Sequence, residues 1–261
     1  MKKEDLKFRR LLKPDSKFQF SCHRGIECFN RCCRKVDIFL TPYDLLRMKN
    51  ALGLSSDEFL SKYTGNVLGT SGLPVVFLKM SDDEERSCPF VSDDGCEIYE
   101  DRPWPCRSFP LKPESSKKTE AAGKEHYSLI KEPKCLGYKE DKEWTVKGWK
   151  NDQGIDIYDE MEVPFKEITQ NESIVGDEIL NEDVRRMFYM ACYDLDSFRR
   201  FVFESKFLDV FDLTKKDIEK IKKDEVELLK FALKWVKFGF IDHSALKVKE
   251  SVLKAKENEP E

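Results

Sequence analysis

Four cysteines, Cys22, Cys28, Cys32 and Cys33, fall within the twelve residues CHRGIECFNRCC. Cys88 and Cys96 follow in CPFVSDDGCEIY, Cys106 lies in DRPWPCRSFP and Cys135 in KCLGY, while Cys192 stands alone far downstream. In a reducing compartment, thiols clustered in this way serve as metal ligands or redox groups more often than as structural disulfides. Neighbouring residues diverge by about 100° on a helix and point to opposite faces on a strand, so Cys32 and Cys33 suit different partners. A disulfide between them would need a strained peptide geometry. Cys28 and Cys32 are four apart, which on one helical turn would put them on the same face and let them share an ion. These spacings predict two nearby centres, one fed by Cys32 and the other by Cys33. Eight thiolates fill two four-thiolate sites, suited either to zinc ions or to iron-sulfur chemistry. The sequence leaves the partition of the eight open.

A divalent ion held by four thiolates carries a net charge of about −2, which nearby donors or cations must offset. Arg24, Arg31, Arg34 and Lys35 surround the first group, and Arg102 and Arg107 flank Cys106. The last two, locked among the prolines of DRPWPCRSFP, are the expected counter-ions, because proline restricts the backbone there. With three histidines in the chain, and His126 and His243 expected in a polar loop and near the tail, a His-centred hydrolytic triad is disfavoured.

The elements that must position the thiols are legible in part. Thr41 before PYDLLRMKNALG gives an N-cap, a proline at the first helical position and a glycine stop. Ser55 with Glu58 three residues on gives a capping box that opens a second helix. LPVVFLKM predicts a buried strand, and Asp94-Gly95 within CPFVSDDGCEIY predicts a hairpin that brings Cys88 near Cys96. Residues 112–126 are expected as an exposed polar loop and the last fifteen residues as a frayed charged tail. The fold class is therefore α+β: a small Cys-rich metal-binding domain with short helices and a β-hairpin over 1–139, a mainly α-helical region over 140–246, and a charged tail over 247–261.

The combined motifs CHRGIECFNRCC, CPFVSDDGCEIYEDRPWPCRSFP and KCLGY resemble the CxxCxxCC family, also called the YkgJ-like cysteine-cluster proteins, over roughly residues 20 to 138. The resemblance implies a zinc- or iron-chelating domain with a metal site made by Cys22, Cys28, Cys32, Cys33, Cys88, Cys96, Cys106 and Cys135. The first group departs from the common spacing: C-x5-C-x3-CC replaces C-x2-C-x2-CC. The longer spacer sets Cys22 apart and leaves His23 beside it as an alternative ligand. The family includes flagellin lysine N-methylases, so the resemblance also offers an alternative, an iron-sulfur enzyme related to protein lysine N-methylases. Residues 139 to 261 carry no methylase motif, and the C-x3-C-x2-C signature of radical enzymes is absent because Cys33 follows Cys32 directly.

Composition narrows the remaining classes. Charged residues make up 37% of the chain, yet the formal net charge is only −4, so no one-sign field recruits nucleic acid. The start has the positive charge of a leader without the apolar stretch that must follow. The longest uncharged apolar run, LPVVFL, is far shorter than the ~20 residues that span a bilayer. A cytoplasmic protein with metal ions as partners, no membrane and no nucleic acid is expected. Lys and Glu enrichment with three Gln also matches hyperthermophile proteins, which keep intracellular disulfides. Downstream, NEDVRRMFYMACYDLDSFRRFVFE begins with an Asn cap and repeats apolar residues at helical spacing, and TKKDIEKIKKDEVELLKFALKWVKFGF continues the pattern. Its aromatic residues, and Cys192 among them, read as core. The outer faces of these helices are candidates for a protein partner.

Overall fold

The computed structural model describes residues 11–114, 126–130, 132–171 and 181–257, and these form an α+β protein. Its strands pair two by two, all antiparallel. The described residues cluster into two compact units that interleave along the chain. The segment ending at Ile38 and Lys79–Asp159 make one; Phe39–Leu78 and the residues from Glu160 onward make the other.

The unit that carries the eight clustered cysteines is organised by aromatic residues. Strand Lys17–Gln19 pairs with Glu143–Thr145, placing Phe18 opposite Trp144. Strand Leu111–Glu114 pairs with His126–Leu129. Between these ribbons Phe18, Phe20, Leu111, Tyr127, Leu129, Val146 and Trp149 are buried. Trp149 meets Phe20 edge-on at 5.5 Å and Trp144 at 5.2 Å, the offset arrangements that ring quadrupoles favour. The Trp144 indole N–H donates to the Phe20 carbonyl at 3.0 Å, so no polar group is stranded. Helix Val146–Asp152, which supplies Trp149, starts where the Thr145 hydroxyl accepts from the Gly148 N–H at 2.9 Å.

The second unit is mainly helical. Thr41 and Asp44 cap each other at the start of helix Pro42–Ala51, and Ser55 with Glu58 does the same for Ser56–Tyr63. Strands Thr64–Leu68 and Pro74–Leu78 form a hairpin, with Val76 and Leu78 buried. Helices Glu182–Cys192, Leu195–Glu204, Phe207–Val210, Lys215–Lys223 and Glu225–Phe240 follow. Asn181, Asp194, Thr214 and Asp224 cap four of them through side-chain oxygens. Phe188, Phe198, Leu228, Leu229 and Leu233 fill the interior, with Trp235 and Phe207 stacked around Phe198. The aromatic residues read as core are core.

Several expectations change. The division at residue 139 follows the cysteines along the chain, whereas residues 39–78 pack with the C-terminal helices, because their hairpin and two helices need an apolar surface to cover. The polar loop expected over 112–126 is in part a strand pair: 112–114 and His126 lie in paired strands, His126 is buried, and 115–125 lie outside the described residues. The charged C-terminal segment contains helix Glu250–Glu257, and residues 258–261 lie outside the described residues. Among the described residues no helix is long and apolar enough to cross a membrane.

Candidate metal centre

The cysteines are brought together by backbone contacts that start at the aromatic core. Beyond Phe20, the Ser21 N–H donates to the Gly137 carbonyl at 3.0 Å. A Cβ on residue 137 would lie 2.7 Å from the Ser21 oxygen and 2.8 Å from the Phe20 ring, so the two chains approach this closely only because residue 137 is glycine. Cys22 is thereby held beside the segment of Cys135. The Leu136 N–H then donates to the sulfur of Cys28 at 3.1 Å, tying the same segment to the second cysteine.

From Cys22 to Cys33 the chain runs through successive turns rather than an α-helix. Asn30 adopts a left-handed backbone with φ 64° and opens a single 3-10 turn, Arg31–Cys33. Asparagine tolerates that conformation better than most residues. The expected helical face shared by Cys28 and Cys32 is therefore not formed, since one left-handed residue between them breaks the helical path. Cys28 is buried and Cys32 exposed.

The second half of the cluster is assembled across a longer sequence gap. The Cys88 N–H donates to the Cys33 carbonyl at 2.8 Å, and Arg34 bridges Ser87 in an antiparallel sense. The hairpin Val91–Ser92 with Gly95–Cys96 forms as expected, with a shifted apex. Ser92 faces Gly95, so Asp93 and Asp94 make the turn and Gly95, at φ 123°, closes it. The Asn30 side chain donates to the Ser92 carbonyl at 2.8 Å and holds the hairpin against the first segment. Cys106 sits in the short helix Trp104–Ser108, begun by Pro103.

Around these anchors the thiols form two neighbourhoods. Cys22 is close enough to Cys32, Cys135 and Cys28 to feel their charge, and Cys135 also hydrogen-bonds Cys28. Cys33 is likewise close to Cys106 and Cys88, Cys106 to Cys88 and Cys96, and Cys88 to Cys96. The neighbourhoods touch where the Cys33 thiol donates to the Cys32 sulfur and where Cys106 feels Cys32. That hydrogen bond outweighs burial and lowers the Cys32 thiol to about 7, while the same bond raises Cys33. Burial, then the adjoining thiols, pushes Cys22 up to about 12. Burial raises Cys88 and Cys135 to about 11 and raises Cys96 as well, each opposed by a backbone N–H two residues on, from Phe90, Gly137 and Ile98. Cys106 keeps an exposed edge, yet the protein packed around it and the thiols of Cys88, Cys96 and Cys32 raise it too. All nine cysteines are free thiols.

N–H groups aimed at sulfur at Cys28, Cys88, Cys96 and Cys135 suit a thiolate, because they favour its charged form. Among the described residues no three His, Cys, Asp or Glu groups stand close enough to hold one ion.

The cations divide sharply. Arg24 pairs with Asp94, Arg31 with Glu27 and Lys35 with Glu85, all exposed. Arg102 and Arg107 are each only 6% exposed, and among the described residues neither has a carboxylate partner. Arg102 lies over the Tyr99 ring at 3.7 Å and donates to the Tyr99 carbonyl and the Gln153 side chain. Arg107 donates to the carbonyls of Arg102 at 2.9 Å, Gln153 at 2.6 Å and Glu100. Arg107 also lies over the Tyr158 ring at 4.5 Å, and the Arg102 charge is felt by Cys96 and Cys106. His23 is turned to other uses, its Nδ1 accepting from the Gly25 N–H at 3.1 Å and its Nε2 meeting Glu140 at 3.0 Å. Cys192 lies in the other unit, 1% exposed, its thiol raised by burial alone.

Sequence reasoning missed Gln153, which holds both arginines, and Gly137, which joins Cys22 to Cys135. Nothing in the sequence around Gln153 points to the site. Gly137, two residues after a cysteine, had a readable signal in the N–H that such a turn directs at sulfur.

Eight free thiols in one unit, N–H donors aimed at sulfur and a buried arginine beside Cys96 and Cys106 are features that suit a thiolate-rich, metal-chelating segment. Residues 21–142 match the model of the CxxCxxCC family, described as a "Putative zinc- or iron-chelating domain". The matched range contains all eight clustered cysteines and excludes Cys192. No curated protein and no solved structure matches the chain.

Proposed function

We propose that the chain binds two metal ions in adjacent four-thiolate centres, one made by Cys22, Cys28, Cys32 and Cys135 and the other by Cys33, Cys88, Cys96 and Cys106. What supports this reading is backbone geometry: the Ser21–Gly137 and Leu136–Cys28 hydrogen bonds join the segments of Cys22, Cys28 and Cys135, while the Cys88–Cys33 hydrogen bond and the Val91–Cys96 hairpin join those of Cys33, Cys88 and Cys96. Cysteine-only donor sets suit zinc or iron, including iron held as an iron-sulfur cluster. The role is structural or metal-handling: the centres fix the Cys-rich unit and the helical region supplies a surface for a protein partner. Free thiols in this number fit a reducing, cytoplasmic setting.

The test is elemental analysis with a visible spectrum on full-length protein purified without oxygen. Two equivalents of zinc without colour, or iron with acid-labile sulfide and a broad visible band, would each support the reading and choose between its metals. Cys32→Ser and Cys106→Ser should each lose metal, whereas Cys192→Ser should keep the wild-type content. Substoichiometric metal in the wild type, or equal loss in all three variants, would overturn it.

A further inference from the structure

The hairpin of Thr64–Leu68 with Pro74–Leu78 belongs to the helical unit and has two edges of different character. On the Pro74–Leu78 side the edge is closed. The Leu40 N–H donates to the Val76 carbonyl at 2.9 Å, Phe39 bridges Phe77, and Pro74 has no N–H to offer. On the Thr64–Leu68 side no further strand pairs among the described residues. Residues of an antiparallel strand alternate between bonding their partner and turning away from it. Because the Val76 carbonyl turns outward to Leu40, its register partner Asn66 turns its own N–H and C=O to the opposite outside, and Leu68 does the same two residues on. Proteins blunt such edges with charge, proline or a bulge. Here residues 63 to 78 contain no charged residue, in a chain that is 37% charged, and Asn66, Val67 and Leu68 are exposed.

The faces of this ribbon fit a second copy of themselves. Leu40, Thr64, Val76 and Leu78 are buried on one face, whereas Phe39 and Val67 are exposed on the other, in register with Phe77 and Val75. On that outer face Gly65 leaves a gap in the edge strand, and the Phe77 ring reaches across it: a Cβ on residue 65 would stand 2.5 Å from the ring. We propose that the free edge of Thr64–Leu68 pairs antiparallel with the same strand of a second copy, about a twofold axis at Asn66. In this register Asn66 exchanges N–H···O bonds with its own counterpart, and the Leu68 N–H meets the Thr64 carbonyl of the second copy. The Thr64 N–H is already donated to the Leu60 carbonyl, so the ladder ends there. Val67 falls opposite Gly65 and fills the gap against the Phe77 ring, while Leu68 falls opposite Thr64 and extends the buried face. The nearest charged residues, Lys62 and Lys79, lie outside the paired segment, so it carries no like charges to repel. This match of a bulky residue to its own vacant register partner is what favours a second copy over an unrelated strand.

The test is sedimentation velocity on the full-length protein over a wide range of concentration, with amide exchange at both ends of that range. The wild type is expected to pass from monomer to dimer as concentration rises, and exchange at Asn66 and Leu68 should slow with it. Gly65 and Val67, whose N–H groups bond within the hairpin, should be equally protected throughout. Asn66→Pro removes an outward N–H and leaves the hairpin bonds in place, so it should weaken dimerisation by at least about tenfold while keeping the wild-type urea midpoint. Asn66→Ala retains the N–H and should dimerise like the wild type. Val67→Asp, at a position exposed in the monomer, should also weaken the dimer, because it buries a carboxylate against the Phe77 ring. A protein that stays monomeric at every concentration, a dimer that both Asn66→Pro and Val67→Asp leave intact, or protection gained elsewhere but not at Asn66 and Leu68 would overturn the pairing. None of these outcomes bears on the metal centres, whose cysteines lie in the other unit.

Discussion

At the scale of single residues, Gly137 shows how little freedom the cluster has. A methyl group at that position would collide with the Ser21 carbonyl and the Phe20 ring at once. Gly137→Ala is therefore expected to cost about 1–3 kcal/mol, read as a lower urea midpoint, and to reduce metal content by moving Cys22 away from Cys135. A wild-type midpoint would show that the close approach relaxes freely. Arg24→Gln, which removes an exposed cation already paired with Asp94, should change neither stability nor metal content measurably. The cysteine cluster was legible, and so was the fixing of Arg102 and Arg107, which are buried among the prolines of their segment. The proposed partition of the thiols was not. It depends on Ser21 meeting Gly137 and Cys33 meeting Cys88, backbone contacts between segments far apart in the chain that no local spacing encodes.

At the scale of elements, most helices were legible because their caps are chemical. Thr41, Ser55 and Asn181 stop and start the chain where expected. Asp196 adds a cap from outside the helix it serves: it accepts from the Ser56 N–H at 2.7 Å and lies 3.8 Å from the buried Lys49 ammonium. Burial works to raise the Asp196 carboxyl, but that N–H and Lys49 prevail and hold it below the ordinary carboxylate value. A depressed native value means that the stabilisation is present above the unfolded carboxylate range and lost as pH falls through the native one. Urea midpoints of wild type and Asp196→Asn should thus differ near neutral pH and converge as pH drops below about 4. A difference that stays constant over that interval would rule out the ionised carboxylate as its source. Phe198, fully buried among Phe207, Phe231 and Trp235, should cost about 3–5 kcal/mol when cut to Ala. The strands were less legible than the helices. Thr64–Leu68 is half exposed and contains Gly65, which packs under the Phe77 ring, so neither alternation nor composition marks it. The helical face proposed for Cys28 and Cys32 failed for the opposite reason: the spacing was right, and one left-handed asparagine cancelled it.

At the scale of the whole molecule, the two units rest on different forces, aromatic and helical packing in one and, on the proposed reading, thiolate chemistry added to a small core in the other. Stripping metal under reducing conditions should accelerate amide exchange around residues 21–38 and 86–108, where few regular hydrogen bonds hold the chain. Helices Glu182–Cys192 and Glu225–Phe240 should keep their protection. Uniform loss of protection would show instead that the helical unit also depends on metal. The interleaving of the units was invisible in the sequence because the cysteines dominate the first half and say nothing about where residues 39–78 pack. Yet the chain leaves the cysteine unit at Ile38 and returns at Lys79 through a neck already fastened on both sides. Arg34 is bridged to Ser87, the Lys35 N–H reaches the Arg86 carbonyl at 3.2 Å, and the Cys88 N–H reaches Cys33. These contacts close the loop from within the cysteine unit, so the register of Cys33 against Cys88 is fixed locally and a long excursion of the chain costs little extra closure entropy.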